Sequence, residues 1–270
     1  MAEGITASRT SPEGQAPDAE TRWLLEIDGL TKEFGGVHAV DHASLGVPQG
    51  AIVGLIGPNG AGKSTVLNMV AGELTPTAGC IVFDGHDITG RPTYKLAGMG
   101  LIRTFQIPGE FSSLTALDNL LLGTLDSRDS MLRALGGPRL WRRKEAEDVA
   151  RARKLLARFH MTEKEAESAG NLSGGQKRLL EIMRALMGSP RLLLMDEPFA
   201  GVAPPVVEVI EERLKELRAS GLTILVIGHE LKVLERLTDS VTVMARGRVI
   251  RTGTMEEIRS DKLVREAYLV

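Results

Sequence analysis

Three short runs of the chain are apolar at nearly every position instead of at every second one. Ala51–Ile56 lies between Gly50 and Gly57, Leu192–Met195 runs into two acids, and Thr223–Ile227 follows Gly221-Leu222. A continuous run of this length predicts a strand buried on both faces, hence a parallel or mixed sheet under helices. Trp23–Ile27 and Cys80–Phe83 read as further short strands, the second closed by the turn pair Asp84-Gly85. Between two of the buried runs, Val206, Val207, Ile210, Leu214 and Leu217 mark one helical face. Pro204-Pro205 stands before it and Gly221 after it. Strand, helix and strand in that order make a βαβ unit. Val241–Met244 and Val249–Arg251 flank Arg246-Gly247 and predict a hairpin. The middle differs. From about Ser112 to Ala169 the pattern is helical, and Arg143–Phe159 carries Val149, Ala152, Leu155, Leu156 and Phe159 on one side. Ser127–Arg142, with Gly136-Gly137-Pro138, reads as a polar excursion within a helical insert. No internal repeat is present.

Composition narrows this picture. At 270 residues, with 43% apolar and 25% charged side chains, the chain can bury a core without covalent staples. One cysteine, Cys80, excludes an internal disulfide framework and a cysteine zinc site. Basic and acidic side chains number 33 and 35, which excludes a whole-domain polycation of the kind that coats nucleic acid. Aromatics at 4% argue against a base-stacking platform. No stretch approaches the roughly 18–20 apolar residues that span a bilayer. Met1–Thr21 lacks an apolar segment of the secretory kind and reads as a disordered extension.

The chemistry begins at Gly57-Pro58-Asn59-Gly60-Ala61-Gly62-Lys63-Ser64, which fits G-x-x-x-x-G-K-[ST]. Gly57, Gly60 and Gly62 permit positive φ and close backbone approach, so successive N–H groups can face an anion. A helix beginning near Gly62 adds its N-terminal partial charge. Lys63 is placed to reach β and γ phosphates, the Ser64 hydroxyl to ligate Mg²⁺, and Thr65 lies in the same turn. A phosphate loop needs an acid to position the metal. Asp196 ends a buried run, where α/β sheets put ligands, and Glu197 is free to polarise an attacking water. Leu172-Ser173-Gly174-Gly175-Gln176 opens a third element: Ser173 is a good N-cap, and Leu179, Leu180, Ile182 and Met183 continue an apolar face.

These three motifs, in this order, resemble the nucleotide-binding subunit of an ATP-binding cassette (ABC) transporter, and the resemblance runs from about Trp23 to the end. Gly100–Gln106, Glu197-Pro198-Phe199-Ala200-Gly201, the long insert around Gly136–Arg143 and the terminal Glu266-Ala267-Tyr268-Leu269 are similar to the branched-chain amino-acid importer branch. The fold so implied is α/β, a P-loop NTPase core of the ABC ATPase kind with a mixed sheet and an inserted helical subdomain. Residues 1–22 would be an extension and 23–270 the ATPase domain. Its core would cover about 23–106 and 174–270, and its helical subdomain about 107–173. By position, the resemblance makes Phe34 the aromatic that stacks on adenine, with Val40 beside it. Gln106 becomes the glutamine that contacts Mg²⁺ and the attacking water, and His229 the residue that contacts the γ-phosphate. Ser173, Gly174, Gly175 and Gln176 become the signature that closes on the nucleotide of an opposite subunit.

The implied cofactors are ATP and Mg²⁺. The implied partners are membrane permease subunits, a second ATPase subunit (a copy or a paralogue) and, indirectly, a solute-binding protein, with no nucleic acid. The implied place is the cytoplasmic face of a membrane. One departure stands out: Ala203-Pro204 occupies a position where the wider family usually has Asp or Asn before Pro. Alanine cannot hydrogen-bond across a dimer interface there. Gly228 before His229, where a larger residue is common, is a smaller departure. Import of branched-chain or other hydrophobic amino acids leads. A urea or amide importer and a lipopolysaccharide exporter are the alternatives within the family. A soluble ABC ATPase acting on nucleic acid or ribosomes is the alternative outside transport, but the stretch between Lys63 and Ser173 shows no sustained heptads. A small-molecule P-loop kinase would leave Leu172–Gln176 unexplained.

Overall fold

The computed structural model describes residues 22–104, 111–124 and 138–268 of the chain. The extension Met1–Thr21, residue Gln106 and the first part of the expected polar excursion lie outside the described residues. The excursion ends earlier than expected, because Pro138–Arg142 already belong to a helix.

In chain order the elements are β1 (Trp23–Phe34), β2 (Val37–Pro48), β3 (Ile52–Ile56), α1 (Lys63–Val70), β4 (Ala78–Phe83), β5 (His86–Asp87), α2 (Thr93–Gly98), β6 (Leu101–Arg103) and α3 (Ala116–Leu121). They continue with α4 (Pro138–Arg158), α5 (Gly174–Met187), β7 (Leu192–Asp196), α6 (Pro204–Ala219), β8 (Thr223–Ile227), α7 (Leu231–Leu237), β9 (Ser240–Ala245), β10 (Arg248–Gly253), α8 (Met255–Ser260) and α9 (Lys262–Tyr268). The strands form two sheets. One is antiparallel, in the order β2-β1-β4-β5; the other has six strands in the order β10-β9-β3-β8-β7-β6. In the second sheet every pairing is parallel except the β9–β10 hairpin.

The three continuous apolar runs form β3, β8 and β7, with every residue buried. Their side chains divide strictly by parity. Ile52 and Ile56, Leu193 and Met195, and Ile224 and Val226 point into a core shared with α3 to α7. Val53 and Leu55, Leu192 and Leu194, and Leu225 and Ile227 point the other way, against α1 and the antiparallel sheet. Apolarity at every position is thus the signature of a sheet sandwiched between two layers.

The helical insert is not separately cored. Ala152 and Leu156 from α4 and Phe159 just after it, with Ala116 and Leu120 from α3, are buried in the same cluster as Leu180, Met183, Met195 and Val226. A polar tie adds to this. The Arg151 guanidinium donates to the Leu186 and Met187 carbonyls at the C-terminal end of α5, where helix carbonyls lack internal partners. At α6 the N-cap is Ala203, which has no capping side chain, and Pro204 supplies a helix-compatible φ instead.

Phe159 is 1% exposed at the point where α4 meets the shared core. Phe159→Ala is expected to destabilise the chain by about 3–5 kcal/mol. Because the core is common, urea denaturation followed by circular dichroism should show one transition moved to lower urea. A separate early transition of the helical insert alone would contradict a shared core.

Candidate nucleotide site

The loop after β3 is shaped by its glycines. Gly57 has φ +150°, and a Cβ there would lie 2.0 Å from the Met244 carbonyl oxygen. Gly62 has φ +98°, and a Cβ there would lie 2.5 Å from the Ala39 carbonyl oxygen. Both positions are closed to any side chain. Gly60, at φ +78°, faces open space with Asn59. The half-buried Pro58 and buried Ala61 complete the loop. Gly62 is the N-cap of α1 and offers no capping side chain, so the first turn of α1 keeps its N–H groups for an external acceptor.

Lys63 opens α1 and is only 6% exposed. Its Nζ donates to the Gly57 and Pro58 carbonyls at 2.7 and 2.9 Å, so the ammonium lies within the loop. Burial pushes its pKa below that of an ordinary lysine, while the charges of Glu197 and Asp196 oppose the fall. Ser64 is exposed beside it and Thr65 half-buried in the same turn.

Asp196 closes β7 at 1% exposure. Its Oδ2 accepts from Arg103 Nη2 at 3.1 Å, and its Oδ1 is buried without a partner. Burial pushes this carboxyl up; Arg103 and Lys63 pull it down, and Glu197 adds to the rise. An unpartnered buried carboxylate oxygen is costly unless something binds it. Together with the exposed Ser64 hydroxyl, it fits a hard cation that takes one or two protein oxygens and completes its shell with phosphate and water. Arg103 comes from the end of β6 and also donates to Asn68 Oδ1 at 2.6 Å and Glu73 Oε2 at 2.7 Å. One guanidinium thereby ties the β6 end, α1 and Asp196.

Glu197 follows with φ +49°, a left-handed conformation that costs a non-glycine residue about 1–3 kcal/mol. Its N–H donates to the Ile227 carbonyl at 2.9 Å, and its Oε1 lies 2.6 Å from His229 Nε2, the distance at which an Nε2–H donates to a carboxylate. Both side chains keep some exposure, 24% for Glu197 and 43% for His229, so both are accessible from solvent.

The Ser173–Gln176 turn forms a reciprocal cap. Gln176 N–H donates to Ser173 Oγ at 3.3 Å, and Ser173 N–H donates to Gln176 Oε1 at 2.9 Å. Ser173 and Gly174 are exposed. A Cβ on Gly175 would sit 2.9 Å from Val206, so this glycine is needed for α5 to meet α6. Phe34 ends β1 before the Gly35-Gly36 turn and is 49% exposed, with Lys32 Nζ 5.1 Å from its ring centroid. Val40, expected beside the base, is fully buried; its methyl lies 3.3 Å from where a Cβ on Gly62 would be. It packs against the loop at Gly62.

Three contributing residues were not anticipated from sequence. Arg103 gave no signal as a lone charge. Arg178 and Glu181 gave one: two opposite charges three apart, set among Leu179, Leu180, Ile182 and Met183, which marks a buried pair. They are each 4% exposed and joined at 2.6 Å.

A glycine-shaped anion loop, a lysine inside it and two acids at an adjoining strand end define a P-loop nucleotide-binding domain. Residues 40–200 match the ABC transporter family, and the chain belongs to that family. It is 38% identical over 246 residues to a probable branched-chain amino acid transport ATP-binding protein, LivG, of Archaeoglobus fulgidus, covering 91% of this chain and 95% of that one. It is 39% identical over 251 residues to the high-affinity branched-chain amino acid transport ATP-binding protein BraF of Pseudomonas aeruginosa, covering 92% and 98%. A crystal structure of a nucleotide-free ATP-binding cassette from an ABC transporter superposes with a TM-score of 0.80 at 37% identity, covering 92% of this chain and 99% of that one. The ADP conformation of such a cassette gives 0.81 at 37% identity and the same coverage. The chain is thus an ABC ATPase. Among the described residues no helix is long and apolar enough to cross a membrane.

Arg103→Met should leave Asp196 without its orienting partner. The expected outcome, read by calorimetry, is an apparent Mg²⁺ affinity of the nucleotide complex weakened by about tenfold or more, with metal-free ATP binding changed less than about twofold. Equal weakening with and without Mg²⁺ would show that Arg103 serves the loop and not the acid.

Proposed function

We propose that this chain binds ATP at the Gly57–Thr65 loop and hydrolyses it with Glu197 as general base, to drive import of branched-chain or other hydrophobic amino acids. The observation that carries the chemical part is the 2.6 Å contact of Glu197 with His229 beside the buried, half-partnered Asp196. The amino-acid part rests on the relatives LivG and BraF, which are branched-chain amino acid transport ATP-binding proteins by name.

The loop N–H groups and the α1 N-terminus hold the phosphates, and Lys63 turns from its loop carbonyls toward the β and γ oxygens. Ser64 and Asp196 Oδ1 would hold Mg²⁺, with Gln106 completing the set. The ion would neutralise charge that develops across the phosphates. Glu197 takes a proton from the attacking water, and His229 fixes the carboxylate and reaches the γ-phosphate. Phe34 stacks on the adenine from its exposed face. Ser173, Gly174, Gly175 and Gln176 engage the nucleotide of a second cassette, so two subunits enclose two ATP molecules. Permease subunits dock on the helical insert, and a solute-binding protein delivers the cargo to them. The cassette then sits on the cytoplasmic face of the membrane.

Glu197→Gln is expected to bind ATP within about twofold of the natural protein and to lose turnover by about 10²–10⁴-fold. Hydrolysis at the natural rate would remove the base assignment. Lys63→Ala should lose ATP binding itself. For the cargo, replacing the chromosomal copy with the Glu197→Gln allele should abolish uptake of labelled leucine, isoleucine or valine. Loss of urea uptake or of lipopolysaccharide export with amino-acid uptake intact would overturn the amino-acid reading.

A further inference from the structure

Three successive backbone carbonyls at the end of β7 are held by one guanidinium. Arg178 Nη2 donates to Asp196 O at 3.1 Å and to Glu197 O at 2.6 Å, and Nε donates to Pro198 O at 3.1 Å. Its Nη1 donates to Glu181 Oε2 at 2.6 Å, both side chains being almost fully buried. Arg178 sits on the first turns of α5, two residues beyond Gln176, so the same helix end carries the exposed Ser173–Gln176 cap.

Glu197 needs this support. Its backbone is left-handed at φ +49°, and that peptide is held by its N–H on the Ile227 carbonyl, by its carbonyl on Arg178, and by a local turn bond to the same carbonyl from the Ala200 N–H at 3.2 Å. The first comes from β8 and cannot change without breaking the sheet. The second comes from α5 and moves with it. A planar fork with several donors can hold three diverging carbonyls and a carboxylate at once; a lysine ammonium cannot.

On the reading of Glu197 as base, we infer that Arg178, anchored by Glu181, is a positioning residue that links the signature turn to the backbone of Glu197. Engagement of Ser173–Gln176 with a second cassette's nucleotide would then set the base in the chain's own site. The link runs inside one subunit. It does not need residue 203, where alanine offers no hydrogen bond across an interface.

Two variants of the full chain test this. Arg178→Lys keeps the charge and removes the fork. Arg178→Met combined with Glu181→Met removes both buried charges together, so neither is left unpaired. With far-ultraviolet circular dichroism unchanged, each is expected to keep ATP affinity within about twofold and to lower kcat by about tenfold or more. In single-turnover assays, adding Arg178→Lys to Glu197→Gln should slow hydrolysis no further, because Arg178 acts only through Glu197. A kcat within about twofold of the natural protein in the lysine variant would overturn the inference, as would additive losses in the combined Glu197→Gln variant. If the double methionine variant does not fold, the lysine variant decides alone. Normal turnover by Glu197→Gln by itself would instead sink the base assignment, which separates the two failures.

Discussion

The register of β3, β8 and β7 sets everything at the site. Leu55 and Asp196 both pair with Ile227 of the strand between them. The phosphate loop, the two acids and His229 therefore leave the sheet at one level and on one edge. The pairing is locked by burial on both faces. A one-residue slip of β7 would exchange the Leu193–Met195 face for the Leu192–Leu194 face and drive Asp196 into the wrong layer. Neither layer can accept that, because each is filled. The chemistry is thus placed by apolar side chains that never touch it.

Around this frame the charged residues are buried in answering sets. Lys63 sits on its own loop carbonyls with Asp196 and Glu197 near enough to raise its basicity against burial. Arg103 takes one oxygen of Asp196 and leaves the other. Arg178 takes the backbone of the same segment and is itself held by Glu181. Buried ion pairs add little net stability, but breaking one by removing a partner costs about 3–5 kcal/mol. Their effect here is geometric: two arginines from different elements, β6 and α5, fix the side chain of one acid and the backbone of the next. Movement of either element reaches the acids directly.

Much of this was legible in the sequence. The continuous apolar runs gave β3, β7 and β8 to within a residue, and Pro204-Pro205 with Gly221 bracketed α6. Ser173 gave the cap at the start of α5. What failed had physical reasons. β2 alternates buried and exposed positions around His38, Asp41 and His42, so it looks like polar chain. β6 has three residues, too few for any period. β1 runs well past the expected Ile27, through Gly29 at φ +57°, because β2 and β4 both pair with it. Arg103 is meaningful only once β6 lies beside β7, which no local pattern reveals.

The central claim is that the exposed Ser173–Gln176 turn serves a nucleotide bound by another cassette, so the site is finished by association. It is tested most directly by the mass in solution of the Glu197→Gln protein, measured by light scattering with and without ATP and Mg²⁺. The account predicts a monomer that doubles in mass only when nucleotide is present. A chain that binds ATP and stays monomeric, both alone and when mixed with a paralogous ATPase subunit, would contradict it.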